Sequence, residues 1–432
     1  TLTSNTGYTE RNSHSNFDID GSKPDGSHSE NTQIDQYSFQ QSLDFYTNVI
    51  DRFDINVGAM YFRDRFHNDY ANAFVGNVLQ RTQFIEMTTD ALAAYFDITW
   101  QPIDHLFLTA GYRRSVENKG SHILEVANPA VIPPLAVAPE YDKDKTFSAG
   151  TPRLVARYEL SPSSNVYASY TEGFRSGAWN PTPQPTVALD VPVDQEKVKA
   201  YEIGFKTVTG DVRFSTAAYY YDYTNLQVGL TTVLPTGAPT QTVFNAKSAK
   251  SYGAEAQIDY MPINNLNLAA SIAYTHARYT DFANGFGTAL LATGYNGTRA
   301  QDFSDQQMAR APDWTANASV DYTLNNVISG GDLTLAANAA YTDSFVMRNL
   351  SLYGPAAPAP YNPNNQRYRQ GGFTTVNSQI NWTDATQRYT VGVYVQNLTD
   401  KKHYLDYSGS AYGDSMQYDY GRTYGAKLGY SF

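Results

Sequence analysis

The chain has 432 residues, no cysteine and a formal charge of −11, which excludes disulfides, thiolate metal sites, cysteine nucleophiles and a nucleic-acid partner attracted by bulk charge. Hydrophobic residues make up 41% and aromatic residues 14%, with 35 Tyr and 21 Phe against 6 Met, a balance that suits strands and interfaces better than packed helices. No window holds the run of about 18 apolar residues that a membrane-spanning helix needs, so in a membrane this chain must form a closed β-barrel.

Alternation of apolar and polar residues marks about sixteen strands in chain order. They are Leu2 to Arg11, Tyr37 to Tyr46, Phe53 to Arg65, Leu92 to Trp100, Leu106 to Ser115, Leu154 to Leu160, Val166 to Thr171 and Tyr201 to Thr207. The series continues with Val212 to Tyr223, Tyr252 to Tyr260, Leu266 to Tyr279, Trp314 to Leu324, Leu333 to Thr342, Phe373 to Trp382, Tyr389 to Gln396 and Tyr424 to Phe432. Short turns such as Gln101-Pro102-Ile103-Asp104 and Thr209-Gly210-Asp211 join strands in pairs. Between the pairs lie long connections of roughly 20 to 35 residues, more than a compact soluble domain carries. They run from 12 to 33, 66 to 87, 116 to 150, 172 to 197, 225 to 250, 281 to 311, 344 to 372 and 398 to 417. Short turns alternating with long loops are the pattern of an outer-membrane barrel.

The strands fit lipid on one side and water on the other. Tyr252, Ala254, Ala256, Ile258 and Tyr260 share one face, while Ser251, Gly253, Glu255, Gln257 and Asp259 make the opposite face polar. Charged residues facing a dry sandwich core would be costly, whereas a hydrated lumen accepts them. Trp100, Tyr260, Trp382 and Phe432 stand where strands reach the short-turn end, as an aromatic girdle at a membrane interface does.

No catalytic or metal signature stands up. Gly285 to Leu290 lacks the third glycine of a phosphate loop, and the His residues never stand at i, i+2 or i, i+4. Asp18, Asp20 and Asp25 miss EF-hand spacing. No cofactor is called for. The long loops do carry aromatics among Asn, Gln, Gly and Pro, a recognition chemistry of large contact area at low entropic cost. Candidate ligand-binding residues are Arg175, Trp179, Asn180, Tyr295, Arg348, Tyr353, Tyr361, Arg367, Tyr404 and Tyr407, with the guanidinium groups suited to carboxylate, catecholate or phosphate. Each is also explained by packing of loops over a barrel mouth.

Several stretches carry a more specific likeness. Tyr167 to Gly177 (Tyr-Ala-Ser-Tyr-Thr-Glu-Gly-Phe-Arg-Ser-Gly) with Trp179-Asn180-Pro181 resembles the strand-to-loop passage of TonB-dependent outer-membrane receptors of the iron-complex type. Glu196 to Lys206, Asn245 to Ala256, Asn397 to Lys402 and the closing Gly429-Tyr430-Ser431-Phe432 are similar to later segments of that family, in its order. The resemblance implies an all-β transmembrane antiparallel barrel of about 22 strands, a plug that fills it, and import driven by the TonB complex. The ligand class it implies is a ferric siderophore or similar nutrient complex. The carboxy-terminus would be periplasmic. Residues 1–432 are then expected to be the carboxy-terminal part of the barrel, with the plug and first strands absent from the chain.

Two rivals stay open on the residues alone: a sixteen-stranded diffusion porin, and a structural or adhesive protein anchored by its barrel. A barrel enzyme is disfavoured by the lack of a nucleophile and base. In a porin, Leu2 to Arg11 would pair with the last strand.

Overall fold

The structure, a computed structural model, describes residues 1–18, 27–75, 78–131, 140–180, 191–233, 239–283, 285–290, 296–347, 351–354, 362, 364–410 and 413–432. Its elements are β1 (Leu2–Asp18), β2 (Ser27–Thr47), β3 (Phe53–Val75), β4 (Val78–Ile103), β5 (Leu106–Ala127), β6 (Tyr141–Ser161), β7 (Ser164–Arg175), β8 (Glu196–Thr209), β9 (Val212–Val233), β10 (Pro239–Ile263) and β11 (Leu266–Asp281). They continue with β12 (Gly285–Leu290), β13 (Asn296–Gln301), β14 (Trp314–Ile328), β15 (Gly331–Thr342), β16 (Phe345–Val346), β17 (Arg369–Gln370), β18 (Phe373–Thr383), β19 (Tyr389–Gln396), β20 (Tyr404–Ser410), β21 (Gly413–Tyr418) and β22 (Thr423–Tyr430). Among the described residues there is no helix long and apolar enough to cross a membrane.

Sixteen strands form one antiparallel sheet in the order β1-β2-β3-β4-β5-β6-β7-β8-β9-β10-β11-β14-β15-β18-β19-β22. These are the sixteen segments that alternation marks in the sequence. The pairs β12–β13, β16–β17 and β20–β21 are separate hairpins inside the last three long connections. Strands β1 and β22 are the two edges of the sheet, and they are not paired with each other. The closure that a sixteen-stranded porin requires is therefore missing among the described residues.

The strands run further than alternation indicates. Strand β3 has 23 residues and β4 has 26, so most of the connection expected over 66–87 is ladder. Likewise β5 and β6 extend through Ala127 and from Tyr141, and β9 and β10 through Val233 and from Pro239. Beyond the apolar band both faces meet water or other loops, so nothing forces the period-2 pattern, and these extensions read as loop. At the other end the connections are tight. Gly210, at φ +54, supplies the left-handed turn residue between β8 and β9.

The two faces differ as the residues require. Val391, Val393, Ala426 and Leu428 share one face across β19 and β22, with Val393 54% and Leu428 84% exposed. Apolar side chains left open over a whole face find their solvent in lipid hydrocarbon. The opposite face is concave: one cavity of about 560 Å³ is bordered by Tyr167 on β7 and by Thr342 on β15, six strands away in the sheet. In a flat sheet those strands would lie ~29 Å apart. On this concave face tyrosines lie across directly opposed glycines, Tyr95 over Gly58, Tyr167 over Gly204, Tyr219 over Gly253 and Tyr394 over Gly425. A Cβ on Gly204 would stand 2.5 Å from the Tyr167 ring, so only glycine leaves room for it.

Candidate ligand-recognition site

Above the apolar band the strand extensions and loops fold on two hydrophobic centres. One joins Leu226, Ala246, Ala249, Tyr279, Phe282, Phe303 and Leu352, so the connections after β9, β11 and β15 share a core. The other joins Ile85, Ile123, Tyr141 and Trp179, with Phe66 and Met87 against them. Hydrophobic burial, rather than loop chemistry alone, therefore fixes how these connections fold.

Two candidate residues belong to this framework. Trp179 is buried, meets Tyr141 edge-on at 5.7 Å, and donates its indole N–H to the Lys119 carbonyl at 3.1 Å. Asn180 clamps the backbone of Val243, accepting from its N–H at 2.9 Å and donating to its carbonyl at 3.0 Å. Arg175, at the end of β7, is exposed and has no ion-pair partner among the described residues. Tyr295, Arg348 and Tyr361 lie outside the described residues.

The other four candidates, Tyr353, Arg367, Tyr404 and Tyr407, are brought together by the β16–β17 and β20–β21 hairpins. The side chain of Arg367 is only 8% exposed and donates to Asp414 at 2.9 Å. Its guanidinium lies 5.0 Å from the Tyr368 ring centre and 5.9 Å from that of Tyr353. The Tyr368 hydroxyl donates to the other oxygen of Asp414 at 3.0 Å. Ring contacts then pass from Tyr368 to Tyr407 at 4.7 Å, to Tyr404 at 5.6 Å, and to Tyr418 at 4.8 Å. Burial pushes the Tyr368 phenol well above its ordinary pKa, against the pull of Arg367, so it stays a donor. Burial raises Tyr407 as well.

The hairpin β20–β21 is tied to the segments beside it by polar contacts. Gln370 accepts the Tyr404 N–H at 2.7 Å, and Arg310 donates to the Leu405 carbonyl at 3.1 Å while facing Asp406 at 3.7 Å. Sequence reading missed Asp414, Tyr418 and Arg310 as members of this cluster. Their partners are 47, 14 and about a hundred positions away, and nothing local announces them. Among the described residues no three His, Cys, Asp or Glu side chains converge to hold a metal.

The expected girdle residues sit at the short-turn end of the sheet. Trp100 and Tyr260 are exposed on the apolar face, and Trp100 stacks on Phe53 at 6.1 Å. Trp382 shares that face with Leu333 and Val391 and donates its indole N–H to the Ile328 carbonyl. Phe432 meets Tyr430 edge-on at 5.1 Å.

Comparison with known proteins agrees with this geometry. The family model described as TonB dependent receptor-like, beta-barrel, matches residues 1–398. The pesticin receptor of Yersinia pestis is 26% identical over 345 residues, 78% of this chain and 43% of that protein. The ferric yersiniabactin uptake receptor FyuA of Yersinia pestis superposes with a TM-score of 0.76 at 18% identity, covering 100% of this chain and 58% of that one. The siderophore receptor PiuA of Acinetobacter baumannii gives 0.70 at 16% identity, covering 99% and 62%. The chain thus spans less than half the length of the curated relative. All three are named as receptors. On the extent of the family match, this chain belongs to the TonB-dependent receptor β-barrel family.

Proposed function

We propose that this chain forms the wall and capture surface of an outer-membrane active transporter that imports a ferric siderophore, with its long loops extracellular and its short turns and carboxy-terminus periplasmic. The observation that carries the reading is the loop cluster in which Arg367 is packed against tyrosine faces and neutralised by Asp414. Carboxylate, phenolate or catecholate oxygens of an iron chelate match the fork of Arg367 as Asp414 does, and its flat aromatic parts match the ring faces. Capture is an exchange: the chelate takes Arg367 from Asp414, and the β20–β21 hairpin adjusts around it. The names of the relatives, a ferric yersiniabactin uptake receptor and a siderophore receptor, support the same ligand class.

The concave wall supports the other half of the proposal. Glu255, Asp259 and Asp321 have no ion-pair partner there among the described residues. Such a strip is suited to a lumen-filling plug that presents Lys or Arg, and TonB would act on that plug from the periplasm. The free edges of β1 and β22 also need strand partners in lipid, which further strands of a larger barrel would supply. Titration of the purified gene product with ferric siderophores of carboxylate, catecholate and hydroxamate type tests the reading. It expects one class to bind in the micromolar range or tighter and to lose roughly tenfold or more with Arg367→Ala. Binding of none, or binding indifferent to Arg367, would count against the proposed site.

A further inference from the structure

Residues 302–313, between β13 and β14, are sewn to β11 and reach from there to the recognition hairpin. The Asp305 N–H donates to the Tyr279 carbonyl at 2.8 Å and the Met308 N–H to the Ala277 carbonyl at 3.1 Å, while Phe303 is fully buried in the first hydrophobic centre. Gln307 is buried too; its side-chain amide donates to the Ala311 carbonyl at 2.7 Å, and its backbone carbonyl accepts from the Gln366 side chain at 2.9 Å. Within this anchored stretch Arg310 stands at φ +56, a left-handed backbone that glycine adopts freely and arginine keeps only where its surroundings hold it. Its N–H donates to the Val346 carbonyl of β16 at 2.8 Å. From there the guanidinium reaches β20, where it donates to the Leu405 carbonyl at 3.1 Å and faces Asp406 at 3.7 Å.

Leu405 belongs to a run of consecutive residues gripped by different elements. The His403 ring stacks on Phe373 of β18 at 4.2 Å, the Tyr404 N–H donates to the Gln370 side chain of β17 at 2.7 Å, and the Leu405 carbonyl takes the Arg310 bond. The Asp419 N–H donates to the His403 carbonyl at 3.0 Å and closes the open end of the hairpin there. Further along the same hairpin Asp414 meets Arg367, which stands just before β17. Strands β16 and β17 pair through Val346 with Arg369 and Phe345 with Gln370. The grip on the hairpin base and the guanidinium that Asp414 answers are thus built on one two-stranded piece. The place of the base sets whether Asp414 and Tyr407 arrive at Arg367 and Tyr368.

We infer that Arg310 is a positioning residue for chelate capture. It pins the base of β20–β21 at residues 403–405. The hairpin swings about that pivot when the chelate takes Arg367, and it returns Asp414 to Arg367 when the site empties. Arg310 acts through Leu405 rather than by touching the chelate. A charge-assisted bond to a backbone carbonyl suits this task, because it holds the main chain and leaves the Tyr404 and Tyr407 side chains to the ligand. The inference rests on the capture reading at Arg367 and adds to it a residue outside the contact surface.

Hydrogen exchange read by mass spectrometry on the purified natural gene product, with and without the ferric siderophores that test capture, reads the pivot. In the chelate-free protein Arg310→Gln should quicken exchange at residues 403–407 roughly fivefold, the loss of one charge-assisted bond at a half-exposed site, and Arg310→Lys should restore most of the protection. Arg367→Ala should instead quicken residues 413–418 and leave 403–407 as they were. A hairpin loosened by Arg310→Gln must be ordered again on binding, so chelate affinity should fall by a similar factor and recover in Arg310→Lys. Unchanged exchange at 403–407 in Arg310→Gln overturns the inference, as does loosening that Arg310→Lys leaves unrepaired, or loosening with affinity at the parent value. The two readings fail separately. A parent protein that binds none of the chelates defeats capture at Arg367 and the positioning role with it, whereas a parent that binds and an Arg310→Gln variant that binds equally well defeat the positioning role alone.

Discussion

Arg367 and Asp414 set the chemistry at the scale of single residues, and opposite substitutions should separate them. Arg367→Ala removes the guanidinium that the chelate would take and should lower its affinity by roughly tenfold or more. Asp414→Asn removes the competing carboxylate and should raise affinity for an anionic chelate, which isothermal titration reads directly. A matching loss in both variants would mean that the pair only holds loops together. A second residue carries a pH signature. Asp384, in the turn between β18 and β19, is held down to about 2 by the Thr386 hydroxyl and then by the backbone N–H groups of Tyr389, Thr386 and Arg388. Its folded pKa lies below the ordinary value of about 3.9, so its contribution to the turn is full above that value and is lost as pH falls through about 2. An NMR titration of the Asp384 carboxyl should show that depressed midpoint. The Asp384→Asn variant should lack the acid sensitivity.

Elements divide into those the sequence displays and those it conceals. Strand β10 is plain from Tyr252 to Tyr260 because lipid and water impose opposite demands on alternate residues. Its first half, from Pro239, faces no such contrast and reads as loop. The hairpins β12–β13, β16–β17 and β20–β21 were hidden for a related reason: each is short and is placed by tertiary contacts, as Gln370 places Tyr404. The candidate residues show the same division. Aromatics and Arg in the long loops stand out in the sequence, and four of the candidates are brought into one cluster, but Trp179 turns inward to seal a loop core, which no local signal reports. Trp179→Ala should therefore loosen the connections after β5 and β7, at a local cost of about 3 kcal/mol, without dissolving the sheet. Limited proteolysis near Tyr141 and Ala178 should reveal the loosening. Unchanged protection would show that Trp179 carries little of that core.

At the scale of the whole molecule, a face of exposed apolar residues, a concave polar face and a loop-borne aromatic cluster are the parts that the proposed transporter wall and capture surface would need. The two faces were readable in the sequence because every strand repeats them, whereas the unpaired edges of β1 and β22 became visible only in the sheet order. The central claim is uptake of an iron chelate, and the direct measurement is transport of radiolabelled iron into cells carrying or lacking the gene, supplied as individual ferric siderophores with and without the TonB energy source. The account predicts that deletion abolishes energised uptake of one siderophore class, that Arg367→Ala reduces it, and that the reintroduced gene restores it. Undiminished uptake of every chelate in the deletion strain would contradict it.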